Sequence, residues 1–298
     1  MDTHEGMKRG VPALLALFQK YDIHASFFVP MGKDHTGWTA KRVFTRKGFL
    51  KKAGRVGVVS TYGVKTLMYG LLLPGPQIAK KNSELLRQIT GEGHELGIHG
   101  YDHVYWHDYI KGFDRKRTEE EVGKLLKVYR ELTGADSPSF AAPGWMINSH
   151  VLRCFQEKGL LYSSDTRGTM PFYPEMGGEK FAVLQIPTTL PTLDEVVGLA
   201  GTDIPTLTAY YLDSLTDGLN ILTVHTELEG KHWIGFLEGF IGKTLERGFI
   251  YKRLIDIAGE YKLNPDVPVC PVKYGFVEGR AGEVCVQCEE LNAVNRKS

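Results

Sequence analysis

Apolar positions along the chain alternate between two spacings, which predicts helices and strands in turn. Near the start, apolar residues three and four positions apart predict an amphipathic helix, and they are Val11, Leu14, Leu15 and Phe18. A short continuous apolar run within residues 24–29 then predicts a strand that is covered on both faces. Further short strands are predicted at residues 96–98, 139–142, 160–163, 183–187 and 220–225. Helices and strands that alternate in this way predict an α/β fold with parallel strands.

The clearest helix is predicted at residues 118–133. Thr118 is followed three positions later by Glu121, a capping box, and Gly134 supplies the residue type that ends helices. A second helix is predicted at residues 84–89. The tail after Tyr261 is predicted to be irregular, with short strands only at 275–277 and 284–286.

Two histidines, His99 and His103, are the first candidates for chemistry. They stand four residues apart where a predicted strand ends, and one helical turn at that spacing brings both imidazoles to a single divalent ion. The spacing alone leaves two interpretations open, a metal site and a hydrogen-bonded loop. A third ligand is needed to decide between them.

A family resemblance supplies that ligand. Asp2-Thr3, Gly10-Val11-Pro12 and residues 25–29, followed by the histidine pair, resemble the opening motifs of the polysaccharide deacetylase family, also called the NodB homology family. Residues 140–145, 163–168 and 222–225 are similar to its later motifs, in the family's order. The resemblance implies a distorted (β/α) barrel that holds a divalent metal ion on Asp2, His99 and His103. Two histidines and one carboxylate suit Zn²⁺, Mn²⁺, Co²⁺ or Fe²⁺ and leave room for water and a substrate carbonyl.

The resemblance also implies catalytic roles for His225 and Asp165. His225 is expected to donate a proton to the departing amine, and Asp165 is expected to orient His225 and raise its pKa. The alternatives are a structural histidine at a strand end and an aspartate that caps a loop.

Substrate contacts are expected from four further residues. Pro143, Gly144 and Trp145 are expected to shape a sugar pocket, and Arg167 is expected to meet the sugar or a phosphate. The alternatives are a core tryptophan and an arginine in a surface ion pair.

Within the family, the sequences of residues 141–145, 186–196 and 225–230 are similar to those of a deformylase branch. That similarity implies hydrolysis of a formamido-arabinose linked to undecaprenyl phosphate, a step in lipid A modification and polymyxin resistance. Three other interpretations stay open. They are a polysaccharide or peptidoglycan N-deacetylase, a catalytically silent lipid-binding homologue, and a metal-binding regulatory module.

The chain departs from the family pattern at its start. Members begin with a hydrophobic strand that ends in Asp-x-Asp, in which the first Asp resembles the general base and the second the metal ligand. Asp2 matches the second carboxylate and Met1 the middle position, so we expect both the base and the first barrel strand to be missing, through truncation or loss. Lack of the base is expected to slow catalysis by roughly 10² to 10⁴-fold. Lack of the strand is expected to expose a sheet edge.

Composition predicts a single domain over residues 1–298. The chain is 42% hydrophobic, which is enough apolar material for one barrel, and its net charge of +1 argues against a nucleic-acid partner. Cys285 and Cys288 have the spacing of a redox or half-zinc motif, but no second Cys pair accompanies them, which favours a structural interpretation. No signal peptide is visible, so a cytoplasmic location is expected.

One stretch, at about residues 36–83, is foreign to the generic family pattern. Residues 41–81 carry ten basic residues and no Asp or Glu, with apolar residues interleaved. This pattern predicts a basic amphipathic insertion that lies on an anionic membrane surface and holds the protein peripherally on the inner membrane. The apolar run at 67–73 is far shorter than the roughly 20 residues of a transmembrane helix. The alternative is a solvated basic lid that packs on the barrel.

Overall fold

The computed structural model describes residues 1–42 and 62–289. Its nine strands are Ser26–Val29 (β1), Glu95–Ile98 (β2), Ser139–Ala141 (β3), Tyr162–Ser164 (β4), Tyr173–Met176 (β5), Glu179–Lys180 (β6), Leu184–Gln185 (β7), Val269–Phe276 (β8) and Glu283–Gln287 (β9). Its α-helices are His4–Lys20 (α1), Val64–Met68 (α2), Ile78–Lys81 (α3), Ser83–Gly91 (α4), His103–Tyr109 (α5), Arg115–Thr133 (α6), Ser149–Glu157 (α7), Leu193–Val196 (α8), Ile204–Asp213 (α9), Ile234–Glu246 (α10) and Leu254–Lys262 (α11). Single 3₁₀ turns cover Thr36–Lys41, Ile110–Gly112 and Pro143–Trp145.

A parallel sheet in the order β1-β2-β3-β4-β7 forms the centre of the fold. Its strands follow one another in chain order, and helices connect most of the neighbouring pairs, so all their carboxyl ends meet at one edge. The α/β fold with its distorted barrel is therefore confirmed. Among the described residues β1 pairs only with β2 and forms one edge of this sheet.

The predicted strand at residues 220–225 does not form. This segment passes close to β7 through its Ile221 carbonyl, which accepts from the backbone N–H groups of Thr189 and Leu190 at 3.2 and 3.1 Å. It joins no ladder among the described residues. The apolar pattern of a strand was present, but a strand also requires a partner to receive its backbone hydrogen bonds.

Helix α1 packs closely on the segment that follows His225. A Cβ atom on Gly10 would lie 2.1 Å from the Thr226 carbonyl oxygen, so only glycine fits at this crossing. Thr3 caps the helix, since its Oγ1 accepts from the Gly6 backbone N–H at 2.9 Å. The cap fixes the start of α1, and the Gly10 contact fixes the helix against the segment after His225.

Helix α6 begins three residues before its predicted start. Asp114 is the N-cap, and its carboxylate accepts from the Arg117 backbone N–H at 2.8 Å. Thr118, the predicted cap, lies inside the helix and donates to the Asp114 carbonyl oxygen at 2.8 Å. The predicted end is confirmed, because Gly134 takes the left-handed conformation with φ of 74°.

The tail is more regular than predicted. Strands β8 and β9 form an antiparallel hairpin, and β8 joins β5 in a second sheet of order β6-β5-β8-β9. Cys270 and Cys285 are buried free thiols in this hairpin, and no disulfide forms among the described cysteines. The pairing with β5 links segments about a hundred residues apart, which the local pattern of the tail does not show.

The described part of the predicted insertion packs on the barrel with one side. Arg42 Nε donates to Asp108 Oδ1 of α5 at 2.9 Å. Within the insertion the Gly37 backbone N–H donates to the Tyr69 carbonyl at 3.0 Å, and Thr66 and Tyr69 are buried. The other side carries exposed apolar residues, with Val64 64% and Leu72 79% exposed. Residues 43–61 lie outside the described residues. No helix in the described ranges has the length and apolar character needed to span a bilayer.

Candidate active site

Asp2, His99 and His103 come together at the carboxyl edge of the central sheet. One ligand atom from each lies within 4.8 Å of the other two. The Asp2 Oδ1 atom is 3.5 Å from His99 Nε2 and 3.6 Å from His103 Nε2. Among the described residues, no other group of three or more His, Cys, Asp or Glu side chains has this spacing.

Local structure brings the two histidines to this position. His99 directly follows β2, Gly100 turns the chain with φ of 76°, and His103 is the first residue of α5. Asp102 caps α5, since its carboxylate accepts from the Tyr105 backbone N–H at 3.0 Å. The strand end and the helix start therefore present both imidazoles to one point.

A buried carboxylate, Glu227, holds Asp2 in place. Its Oε1 accepts from the backbone N–H groups of Asp2 and Thr3 at 3.0 and 2.9 Å and from the Thr3 hydroxyl at 2.9 Å. A Cβ atom on Gly6 would lie 2.0 Å from the same oxygen, so α1 approaches Glu227 too closely for any side chain. Glu227 thus has the structural role of positioning a candidate metal ligand.

These residues fit a divalent metal ion. The His99 Nδ1 atom lies 2.6 Å from the Ala141 carbonyl oxygen, and because a carbonyl only accepts, the proton sits on Nδ1 and the Nε2 lone pair faces Asp2. Asp2 Oδ1 is buried and has no hydrogen-bond partner in the described part of the chain. A buried acceptor without a donor is costly unless a cation supplies the missing interaction.

Protonation states in the cluster also suit a metal. Burial by itself would raise the pKa of Asp2, but His103, the amino terminus and His99 outweigh it and hold that pKa well below its ordinary value. Burial lowers the pKa of His103 to about 3, against the opposing effect of Asp2. At neutral pH the site therefore offers an ionised carboxylate and a neutral imidazole, the forms that bind metals.

His225 lines the same cavity as the three candidate ligands. Its backbone N–H donates to Glu229 Oε2 at 2.8 Å. Burial alone would lower the pKa of His225, but the carboxylates of Asp2, Asp194 and Glu229 together raise it above its ordinary value. A raised pKa favours the protonated imidazole, the form that a general acid requires.

The structure does not bring Asp165 to His225. Asp165 is buried behind the cavity wall, where its Oδ2 accepts from Gln185 Nε2 at 3.1 Å. Burial raises its pKa to about 7. Glu229, in contrast, accepts from the His225 backbone N–H, and its charge raises the pKa of His225. The orienting role of Asp165 stays a prediction.

Gly144 and Trp145 line the cavity, as expected for a sugar pocket. They occupy consecutive left-handed conformations with φ of 64° and 53°, and the Trp145 Nε1–H donates to Thr188 Oγ1 at 3.1 Å. Pro143 is buried outside this lining and packs beside Gly100, so its contribution is to shape the loop.

Arg167 is committed to a buried ion pair rather than to the cavity. Its Nη1 donates to both carboxylate oxygens of Glu195 at 2.7 and 2.9 Å, and its Nη2 donates to the Leu190 carbonyl at 3.0 Å. The guanidinium also lies 5.0 Å from the centre of the Trp145 ring, and Arg167 itself is not among the residues that line the cavity. The predicted contact with a sugar or phosphate stays a prediction. Another arginine, Arg280, lines the cavity instead.

The cavity has a volume of about 720 Å³ and extends beyond the metal cluster. It continues along β1, where its lining is apolar and includes Phe18, Phe27, Leu222 and Phe240. Sequence reasoning missed several polar lining residues, namely Arg42, Tyr62, Asp194 and Arg280. Asp194 lies in the stretch 186–196 that resembles the deformylase branch, and Arg42 and Tyr62 lie in the predicted insertion, but sequence reasoning assigned none of the four a site role because they come from segments that meet only in the folded chain.

Comparison with known proteins identifies the family. Residues 4–163 match the family model described as polysaccharide deacetylase. The chain belongs to the polysaccharide deacetylase family. This membership confirms the prediction made from the motifs.

Two curated relatives cover nearly the whole of this deacetylase-family chain. One, from Shewanella sediminis, is named "Probable 4-deoxy-4-formamido-L-arabinose-phosphoundecaprenol deformylase ArnD" and is 34% identical over 98% of this chain and 94% of its own length. A relative of the same name from Wigglesworthia glossinidia brevipalpis is 30% identical over 95% of this chain and 98% of its own length. Family and relatives act on amide bonds, which confirms the prediction of a hydrolase.

A solved structure of a family member shares the fold. The crystal structure of a probable polysaccharide deacetylase from Pseudomonas aeruginosa superposes with a TM-score of 0.57 at 20% identity, over 87% of this chain and 75% of the other. This similarity confirms the deacetylase-type α/β fold.

Proposed function

We propose that this protein hydrolyses the formamide of a formamido-arabinose linked to undecaprenyl phosphate, with a divalent metal ion bound at Asp2, His99 and His103. The observation that carries the proposal is the convergence of these three side chains with His225 in one cavity. The names of the two full-length relatives support the choice of substrate.

The chain's own residues account for binding and for the last proton transfer. A divalent ion at this site supplies Lewis acidity toward a carbonyl and lowers the pKa of water. His225, kept protonated by Asp2, Asp194 and Glu229, donates its proton to the amine nitrogen as the C–N bond breaks. Trp145 lines the cavity and holds the Arg280 guanidinium against its ring.

The proposed substrate also requires access to lipid. We propose that the described insertion segment, residues 62–81, rests on the anionic surface of the inner membrane. Val64, Lys65 and Leu72 are exposed, whereas Thr66 and Tyr69 are buried. One side thus acts as a lid and the opposite side meets the bilayer. In this setting the reaction belongs to lipid A modification and polymyxin resistance.

Formate release tests the reaction. The protein is loaded in turn with Zn²⁺, Mn²⁺, Co²⁺ or Fe²⁺ and incubated with the formamido-arabinose lipid, and formate is measured. His103→Gln removes one ligand, and His232→Gln, an exposed histidine away from the cavity lining, is the matched control. Formate from the parent and the control but not from His103→Gln is the expected result.

The same assay with an acetamido sugar separates the alternatives. Acetate release without formate release would indicate an N-deacetylase. Metal binding without either product would indicate a silent homologue or a regulatory module.

Vesicle cosedimentation tests the membrane contact. Binding to vesicles with anionic lipid is expected to fall when Val64 and Leu72 are both changed to Ser. Leu263→Ser is the matched control, since Leu263 is 87% exposed and lies outside the insertion. Equal binding by the double variant and the control would contradict membrane contact through this segment.

A further inference from the structure

The turn between β8 and β9 inserts an arginine into the cavity wall. Gly279 has φ of 77°, and a Cβ atom there would lie 2.1 Å from the Glu195 carbonyl oxygen, so the turn lies directly against α8. This close approach places the next residue, Arg280, beside Trp145. Its side chain is only 9% exposed and lines the same cavity as the metal cluster.

Arg280 brings a positive charge that its neighbours only partly neutralise. Arg167 and Arg280 share one buried carboxylate, Glu195. Arg167 holds that carboxylate at 2.7 and 2.9 Å, whereas Arg280 Nη1 is 3.3 Å from its Oε1. Two guanidinium groups and one carboxylate leave a net charge of +1 in this trio. A buried charge of this kind is stabilised by an anion that brings its own hydrogen-bond acceptors.

The guanidinium of Arg280 is also held in orientation. Its central carbon lies 4.4 Å from the centre of the Trp145 ring, a cation–π contact. Glu195 is its only hydrogen-bond partner among residues 1–42 and 62–289. A ring-stacked guanidinium keeps its N–H donors along its rim, where they fit two oxygens of one phosphate.

We infer that Arg280, stacked on Trp145, binds the phosphate of a lipid-linked phosphate ester in this cavity. The inference rests on the proposed function for the lipid part of the ligand. A phosphodiester carries one negative charge and two free oxygens, which suit the N–H donors that Arg280 does not use on Glu195. The role is absent from the family motifs, because Arg280 comes from the tail hairpin.

Direct binding tests the inference without any need for catalysis. The dissociation constants of undecaprenyl phosphate, undecaprenol and inorganic phosphate are measured by titration calorimetry in detergent. The proteins compared are the parent, Arg280→Met, Arg280→Lys and Arg153→Met. Arg153 pairs with Glu179 outside the cavity lining, so its variant is the matched control. Thermal unfolding shows which variants are folded.

Loss of a charge-assisted bidentate contact is expected to weaken undecaprenyl phosphate binding by about ten- to a hundredfold in Arg280→Met. Arg280→Lys is expected to have an intermediate affinity for undecaprenyl phosphate, because it keeps the charge but not the bidentate donor. Arg153→Met is expected to bind as tightly as the parent. Undecaprenol is expected to bind all variants equally weakly. If Arg280→Met fails to fold, weaker binding by Arg280→Lys supports the inference and unchanged binding overturns it.

Two results would overturn the inference. In the first, a folded Arg280→Met binds undecaprenyl phosphate as tightly as the parent does. In the second, inorganic phosphate binds the parent as tightly as undecaprenyl phosphate does, which would identify a free-phosphate site. Absence of formate release together with Arg280-dependent lipid-phosphate binding would refute the proposed reaction and leave the phosphate site standing.

Discussion

Replacement of Asp165 by Asn separates the role that the motifs predict from the role that the structure supports. Asp165 is fully buried, and burial raises its pKa to about 7 from an ordinary 3.8. The folded protein therefore keeps the proton up to about pH 7, whereas the unfolded chain releases it near pH 4. The carboxyl group thus lowers stability progressively as the pH rises from about 4 to 7.

The size of this effect follows from the pKa shift. Each pKa unit corresponds to about 1.36 kcal/mol, so a shift of about three units amounts to roughly 4 kcal/mol as an upper bound. Asp165→Asn cannot ionise and escapes the loss. Between pH 4 and 7.5 the unfolding free energy of Asp165→Asn is expected to rise relative to that of the parent, by at most roughly 4 kcal/mol. Glu229, whose pKa burial also raises to about 7, titrates in both proteins and cancels in the difference.

Urea unfolding followed by circular dichroism measures this difference at a series of pH values. Any pH-independent cost of the amide shifts all points equally, so the slope carries the information. Formate release by Asp165→Asn is expected to stay within about threefold of the parent, whereas loss of a residue that orients the general acid would cost roughly 10² to 10⁴-fold. A flat stability difference, or a rate loss of that size, would refute the assignment of Asp165 to a buried structural role.

Four further expectations test the site and its support. After dialysis, elemental analysis is expected to find one divalent metal ion per molecule of the parent and none in His103→Gln. A metal ion retained by His103→Gln would contradict the ligand assignment. Gly279→Ala is expected to lower the unfolding free energy by about 1–3 kcal/mol, because its Cβ would meet the Glu195 carbonyl at 2.1 Å; an unchanged melting temperature would argue against the close turn. The parent's kcat is expected to fall as the pH rises through the raised pKa of His225, which then loses its donor proton, and His225→Gln is expected to be slower by roughly 10² to 10⁴-fold; activity independent of both would exclude His225 as the acid. An apolar, β-prone strand that ends in Asp, joined ahead of Met1, is expected to raise the melting temperature and the rate of formate release, and a Gly-Ser segment of the same length is expected to change neither.

Features that depend on neighbours in sequence were predictable. The helical spacing of His99 and His103 and their place after a strand follow from local periodicity, and the structure brings them to Asp2. Most of the strands of the central sheet also formed close to where their apolar runs predicted. In these cases the pattern and the structure agree because helices and strands are specified by local spacing and short-range hydrogen bonds.

Features that depend on which distant segments meet were not predictable. Residues 220–225 have a strand pattern but form no strand, and the tail hairpin forms because β5 pairs with β8. Cap chemistry was ambiguous in the same way, since both Asp114 and Thr118 suit a helix start, and Asp114 takes that place.

The motifs by themselves determined the family, the fold class and the candidate metal ligands, because these depend on residue types at set spacings. Only the tertiary structure decided which charged groups face the substrate cavity. Arg167 pairs with the buried Glu195, and Asp165 accepts from Gln185 outside the cavity lining. Arg280 reaches the cavity from the turn between β8 and β9, more than a hundred residues further along the chain than Arg167. The physical reason is that a buried charge must find its partner in space, and the identity of that partner depends on packing between segments rather than on local sequence.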